Sequence, residues 1–156
     1  MYADFTYYQN EYGGKMVESA EFARMERKSA RLMDGITGNK LQFAFPVNDR
    51  DSAAVKDCQC ELIDFLQQVE QYQNAALQSV GIVIQADGTV KGKVITSISS
   101  GSESRSYSIG GSASTAVAEA AKDKKVMDML VYGIVRDNLS GVPDANGVNL
   151  LYAGKV

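Results

Sequence analysis

A chain of 156 residues with 45% hydrophobic residues, a net charge of −3 and no histidine is typical of a single soluble domain that buries its own core. The absence of imidazole excludes Ser-His-Asp and Cys-His triads and His-ligated zinc. The excess of acidic over basic residues argues against a protein that binds nucleic acid through its phosphates. We therefore expect a protein that is not an enzyme, that has no cofactor or metal, and that stays in a cytosol, since residues 1–5 lack the features of a signal peptide and no apolar run could span a membrane.

The aromatic-rich opening predicts a short turn of helix that Thr6 caps and Gly13 and Gly14 end. A longer helix is predicted over about 19–37, with Ser19 as its N-cap. Apolar residues recur on one face of this helix, and the opposite face is charged. The charged positions are Arg24, Glu26, Arg27, Lys28 and Arg31. Such a face is usually solvated surface, and the sharper hypothesis is a contact with a neighbouring copy or an acidic partner.

Residues 40–51 are predicted to form a loop that Phe43, Phe45 and Pro46 pin to the core. The next helix, about 52–74, has the clearest pattern in the chain, because its apolar residues alternate steps of three and four. These positions are Val55, Cys58, Leu62, Phe65, Val69 and Tyr72. Cys58 and Cys60 point about 200° apart around such a helix, so we expect free thiols that neither pair nor share a metal.

The second long helix also carries the densest acidic cluster of the chain. Helical spacing places Asp57, Glu61 and Asp64 along one face, with Asp49 and Asp51 preceding them. Solvated helix surface is the simple interpretation. The enzyme alternative is a hydrolase that uses pairs of Asp and Glu carboxylates.

From 79 to 111 the hydrophobic period changes to two, which predicts an inserted β-hairpin. Val80, Ile82 and Ile84 alternate with other residues, Asp87-Gly88 is a strong two-residue turn, and residues 90–95 return. Serine then occupies every second position from Ser100 to Ser108. This stretch is either a flexible linker or a strand whose small hydroxyl face lets another backbone approach. A long exposed sheet edge needs a partner to cover it, which indicates oligomerisation.

The last helix is predicted over about 115–138, with Ser114 or Thr115 as its cap. Turn-forming residues follow over 140–147, and residues 148–156 form an apolar tail. The tail could fold back on its own domain or be donated to a partner. The predicted fold class is therefore mainly α (α+β): one domain, 1–156, that is a small helix bundle with an inserted β-hairpin or serine-rich β segment and an extended C-terminal tail, 140–156.

Several stretches of the chain are similar, in the same order, to one protein family. They are TYYQNEYGGK (6–15) before a helix, RLMDGIT (31–37) within it, the serine-rich stretch 95–108, a following helix, and LLYAG (150–154). In these stretches the chain resembles the head–tail connector, or adaptor, proteins of tailed bacteriophages. The 79–93 hairpin is longer than in compact members of that family.

The resemblance implies a structural virion protein, made in the host bacterial cytoplasm, that forms a homo-oligomeric ring on the portal vertex. The ring, expected to be twelvefold on the portal, extends the DNA channel and joins the head to a tail or stopper protein. DNA passes through without sequence-specific binding, because an acidic channel wall repels phosphates. The alternative is another neck, tail or capsid accessory structural oligomer of such a particle.

The same resemblance implies two sets of contact residues. The C-terminal set, which docks onto the portal, is Val148, Leu150, Leu151 and Tyr152. The β-insert set, which contacts the ring or the tail or lines the channel, is Ile82, Ile84, Lys91, Lys93, Arg105 and Tyr107. No catalytic, cofactor-binding or metal-binding residues and no membrane contact are expected.

Overall fold

Helices make up most of the residues that the structure describes, as predicted. The computed structural model describes residues 2–78, 80–84, 90–94, 98–100, 103–105 and 116–152, and the side chains of 2–76 and 116–152. The described helices are α1 (Phe5–Asn10), α2 (Ser19–Thr37), α3 (Lys40–Phe43), α4 (Asp49–Gln78), α5 (Ala116–Ala120) and α6 (Lys124–Leu139). In this part of the chain no helix has both the length and the apolar character needed to cross a membrane.

The first two helices begin differently from the sequence prediction. Asp4, and not Thr6, caps α1, since its carboxylate accepts the Tyr7 backbone N–H at 2.8 Å. Helix α2 spans the predicted range, but Ser19 is its first helical residue and Glu18 occupies the N-cap position without a side-chain hydrogen bond. Gly38 ends α2 with a φ of 61°, the left-handed conformation that glycine adopts at little cost.

The predicted loop over 40–51 is confirmed only at residues 44–48, because α3 occupies its beginning and the first turn of α4 its end. Phe45 stacks on Tyr2 with ring centroids 5.6 Å apart, and Pro46 is buried, so these two residues do hold the connection. The same prediction is wrong for Phe43, which is 86% exposed. Periodicity alone could not reveal this, since Phe43 follows Leu41 in a helix of a single turn and only Leu41 turns inward.

The helix predicted over 115–138 is two helices. The chain breaks between α5 and α6, where the Asp123 carboxylate accepts the Lys125 backbone N–H at 2.8 Å and caps α6. Aspartate favours this capping geometry over a helix interior. The break therefore has a local physical cause in the polar run at 122–125.

Helix α4 is the centre of the fold and is buried on two sides, against α2 and against α5 and α6. The predicted apolar seam is buried at Val55, Cys58, Leu62, Phe65 and Val69. The prediction is wrong for Tyr72, which is 43% exposed near the end of the helix. A second cluster joins Cys60, Ile63 and Leu66 of α4 to Tyr8, Phe22 and Met25.

The described part of the predicted β insert consists of two short antiparallel ladders. The backbone of β1 (Val80–Ile84) pairs with β2 (Val90–Val94), with Ile82 opposite Gly92. The backbone of β3 (Ile98–Ser100) pairs with β4 (Glu103–Arg105). The Asp87-Gly88 turn and residues 106–115 lie outside the described residues, so the 79–111 insert as a whole stays a prediction.

Candidate functional site

Neighbouring side chains engage three of the acidic residues of the hydrolase alternative, Asp57, Glu61 and Asp64. The carboxylates of Asp49 and Asp51 have no such contact among the described residues. The Tyr7 hydroxyl donates to Asp57 Oδ1 at 2.9 Å, and the Tyr8 hydroxyl donates to Asp64 Oδ1 at 2.5 Å. Asn138 Nδ2 donates to Glu61 Oε2 at 2.8 Å. Within the described residues, no three His, Cys, Asp or Glu side chains are grouped so that they could hold a metal ion. The contacts give the acidic face a structural role in holding the opening of the chain and α6.

The aromatic opening, residues 2–14, is tied to α2 and α4 by polar contacts that the sequence did not reveal. The Tyr2 hydroxyl donates to Asp34, and the Ala3 backbone N–H donates to Gln59 Oε1 at 2.7 Å. The Tyr8 hydroxyl also accepts the backbone N–H groups of Met16 and Val17 at 3.0 and 3.2 Å. Burial, followed by the bond to Asp64, raises the pKa of Tyr8 to about 12. The hydroxyl is therefore a protonated donor at any physiological pH.

The two cysteines are free and buried, as the helical spacing predicts. Burial, and then the nearby carboxylates, raise the pKa of each thiol to about 12. A thiol with so high a pKa carries almost no thiolate at neutral pH and is a poor nucleophile or metal ligand. Cys58 and Cys60 therefore act as small apolar core residues.

The described part of the C-terminal tail, residues 148–152, packs on its own domain. Leu150 is 1% exposed and belongs to the same core cluster as Leu139 and Val142, and Leu151 packs against that cluster. Of the two alternatives for the apolar tail, the described residues 148–152 follow the first and fold back on the domain, so the prediction that Leu150 docks on a partner is wrong. Leu150 is buried because it packs in one cluster with Leu139 and Val142 of the core. A sequence pattern does not show which distant residues a side chain meets.

Hydrogen bonds fix the backbone of the tail. Lys40 Nζ donates to the carbonyl oxygens of Asn149 at 2.9 Å and Tyr152 at 2.5 Å. The Ala145 backbone N–H donates to the Ala44 carbonyl at 3.1 Å. Asp144 Oδ1 accepts the backbone N–H of Val148 at 2.9 Å and shapes the turn before it. The segments 40–44 and 144–152 are thus bound to each other.

Two of the four predicted tail contacts point to solvent from this fixed backbone. Tyr152 is 66% exposed and Val148 is 42% exposed. We call these two side chains the tail surface. Residues 153–156 lie outside the described part of the chain. The structure thus separates the predicted set into an exposed pair, Val148 and Tyr152, and an anchoring pair, Leu150 and Leu151.

Other large apolar side chains are also exposed. Phe43 and Val47, which precede α4, are the most exposed of all in the described residues, and Met129 and Tyr132 lie on the outer side of α6. Large apolar side chains that remain in water are common at protein–protein contacts when they are grouped. The sequence analysis did not single out Val47, Met129 or Tyr132, and it placed Phe43 against the core.

Helix α2 presents the predicted charged face, with one correction. Arg24, Arg27 and Arg31 are exposed and Lys28 is half-buried. Glu26 is 4% exposed and not part of the outer face, because Gln59 Nε2 donates to its Oε1 and to its carbonyl oxygen, each at 3.1 Å. The exposed face of α2 is therefore more basic than the sequence pattern indicates.

The predicted β-insert set cannot be placed in the same way. Ile82, Ile84, Lys91, Lys93 and Arg105 belong to the four described strands by their backbone alone, and Tyr107 lies outside the described residues. Their part in a ring, tail or channel contact stays a prediction.

Comparisons with known proteins identify no relative of this chain. Neither a protein-family model, nor a curated protein, nor a solved structure matches the chain.

Proposed function

We propose that this chain is a structural virion protein that assembles into a ring on the portal vertex of a tailed bacteriophage. The ring extends the DNA channel and joins the head to the tail. One observation carries the proposal beyond the sequence resemblance: a backbone tied down by buried and charged contacts presents two apolar side chains, Val148 and Tyr152, to solvent.

The fixed tail supports docking on physical grounds. Ordering a free segment on binding costs conformational entropy, and a segment that is already ordered avoids that cost. Lys40 orders the tail by binding its carbonyl oxygens, and its ammonium lies 6.0 Å from the centre of the Tyr152 ring. Tyrosine is enriched at the centres of protein interfaces because it combines a large apolar body with a polar tip. In this proposal the portal supplies the apolar recess that covers Tyr152.

The proposal also assigns roles to the β insert and to the net charge. The β insert, 79–111, contacts the ring or the tail or lines the channel through Ile82, Ile84, Lys91, Lys93, Arg105 and Tyr107. The net charge of −3 suits a wall along which DNA slides without binding, since like charges repel. No catalytic step, cofactor or metal belongs to this function.

The test measures binding to purified rings of the portal protein from the same virion. We expect Tyr152→Ala to reduce the amount of chain retained on the portal rings at least about tenfold, the loss typical of a truncated interface anchor. Tyr72→Ala is the matched control, because Tyr72 is also an exposed tyrosine. It lies near the end of α4, about 35 Å along the helix from Asp49, and it is not part of the tail. The control should bind as the unchanged chain does.

Two results would contradict the proposal. One is failure of the unchanged chain to bind portal rings and to form a ring on them in cryo-electron micrographs. The other is full retention of the Tyr152→Ala chain, which would place the portal contact elsewhere. A chain that forms a closed oligomer but ignores the portal would support the alternative, another neck, tail or capsid accessory protein.

A further inference from the structure

The outer face of α2 contains two cations that are neutralised within the chain. Arg24 pairs with Glu70 of α4 at 2.8 Å and with Glu21 at 2.7 Å. Lys28 pairs with the same Glu70 at 2.8 Å. These contacts hold α2 against α4, so Arg24 and Lys28 have a structural role that needs no partner.

Arg27 and Arg31 differ from their neighbours. Both are exposed, and the described residues give neither side chain an ion pair or a hydrogen bond. They lie one helical turn apart, where two like charges repel each other. An anionic partner would relieve that repulsion, and no acidic side chain of the described chain does so.

The two arginines also line two open grooves, and each groove includes large apolar side chains. On one side the groove has a volume of about 660 Å³ and is lined by Phe5, Phe22 and Ala30. On the other side the groove has a volume of about 560 Å³, and Leu32 and Met127 line it together with the two arginines and the paired cations Arg24 and Lys28. A partner that fits this face therefore combines carboxylates with large apolar side chains.

Residues 43–51 of the same chain have that chemistry. Phe43 and Val47 are 86% and 79% exposed. Asp49 and Asp51 follow in the first turn of α4, and neither carboxylate has an ion pair within the described residues. Arg50 lies between them and leaves the segment with a net acidic charge.

We propose that residues 43–51 of one copy dock on the α2 face of the next copy. Phe43 and Val47 enter the grooves beside α2, and Asp49 and Asp51 pair with Arg27 and Arg31. The two surfaces lie on different elements of each chain, so every copy offers both and the contact repeats head to tail. Such a heterologous contact builds a closed ring when its rotation closes.

This inference rests on the proposed ring, but its test does not need the portal. Sedimentation velocity of the purified chain, in about 50 mM salt so that charge contacts are weakly screened, measures self-association up to about millimolar concentration. We expect R27E/R31E and D49K/D51K each to weaken self-association at least about tenfold, as for close interfacial charge pairs. The chain that carries all four substitutions should recover it, because the charges then match again.

The control is K15E/K125E, which changes the net charge by the same amount as R27E/R31E at two exposed lysines that line neither groove and lie outside residues 43–51. It should associate as the unchanged chain does. The four-substitution chain guards against misfolding, since recovery requires both surfaces to be intact.

Three results would overturn the proposal. They are an unchanged chain that stays monomeric throughout this range, charge-reversed chains that associate normally, and a four-substitution chain that does not recover. Recovered self-association together with no portal binding would remove the portal from the proposed function and keep this interface. A ring that forms on the portal from the charge-reversed chain would remove this interface and keep the portal in the proposed function.

Discussion

At the scale of single residues, three tyrosines bind the aromatic opening to α2 and α4. Tyr2 donates to Asp34, Tyr7 to Asp57 and Tyr8 to Asp64, so each hydroxyl reaches a carboxylate on α2 or α4. A buried hydroxyl needs a partner, because its desolvation is costly when it is left unpaired. Gly14 belongs to this arrangement, since a Cβ there would stand 2.1 Å from the Tyr8 ring.

These contacts predict that removing the hydroxyl of Tyr8 destabilises the protein far more than removing the hydroxyl of Tyr12, which stacks on it. We expect Tyr8→Phe to lower the free energy of unfolding by about 1–3 kcal/mol, because Asp64 loses a donor and two backbone N–H groups lose their acceptor. Tyr12→Phe is the control and should change it by less than about 0.5 kcal/mol, since its hydroxyl has no hydrogen bond among the described residues. Urea unfolding at neutral pH measures both, and equal losses would contradict the assigned role of Tyr8.

At the scale of elements, α4 organises the bundle because its neighbours pack on two sides of it. One side meets α2, where Glu70 of α4 accepts from Arg24 and Lys28 near the end of the contact. These bonds, the one from Arg24 first, lower the pKa of Glu70 from 4.5 to about 2. A carboxyl whose pKa is depressed in the folded state stabilises that state above its ordinary pKa, and the contribution disappears as the pH falls through the folded value.

We therefore expect Glu70→Gln to lower the free energy of unfolding by about 0.5–1 kcal/mol at pH 7, since Arg24 is half-exposed and water screens the pair. The difference from the unchanged chain should shrink below an ordinary carboxyl pKa and vanish near pH 2. Glu11→Gln, at an exposed glutamate without an ion pair in the described chain, should have little effect at either pH. Chemical unfolding at several pH values measures this, and a constant difference down to pH 2 would contradict the ion-pair explanation.

At the scale of the whole molecule, the first and the last described segments, residues 2–14 and 144–152, are both bound to the helices. The opening binds α2 and α4 through its tyrosines, and the tail inserts Leu150 into the core while Lys40 holds its carbonyl oxygens. The surfaces that the described residues leave exposed include Val148 and Tyr152 on the tail, Phe43 and Val47 before α4, Met129 and Tyr132 on α6, and the basic face of α2. The proposed portal contact uses the exposed pair on the tail, and the proposed contact between copies uses Phe43, Val47 and the basic face of α2.

The anchored tail predicts opposite outcomes for two neighbouring residues. Leu150→Ala should lower the free energy of unfolding by about 2–5 kcal/mol, because it opens a cavity in the core. Tyr152→Ala should change it by less than about 0.5 kcal/mol while portal binding is lost. Circular dichroism melts measure the stability of both. A chain truncated before residue 148 that melted like the intact chain would show that Leu150 contributes nothing to the core.

The sequence by itself determined the parts of this protein that depend on local periodicity. Helix α2 spans the range that its 3.6-residue pattern predicts, and the seam of α4 from Val55 to Val69 is buried as its spacing indicates. The same spacing kept Cys58 and Cys60 unpaired. These features follow from which side of a helix a residue lies on, and sequence distance fixes that directly.

Only the tertiary structure decided which surfaces are free. Tyr7 and Tyr8 meet their carboxylates across 50 and 56 residues of chain, and Lys40 meets the tail across more than 100. Burial of Leu150 and Glu26 and exposure of Phe43 depend equally on elements that lie far away in the sequence. An apolar side chain is equally able to enter its own core or that of a partner, and a charged one to pair within the chain or outside it. Which of these occurs is set by the packing of distant elements, because only packing determines what each side chain can reach.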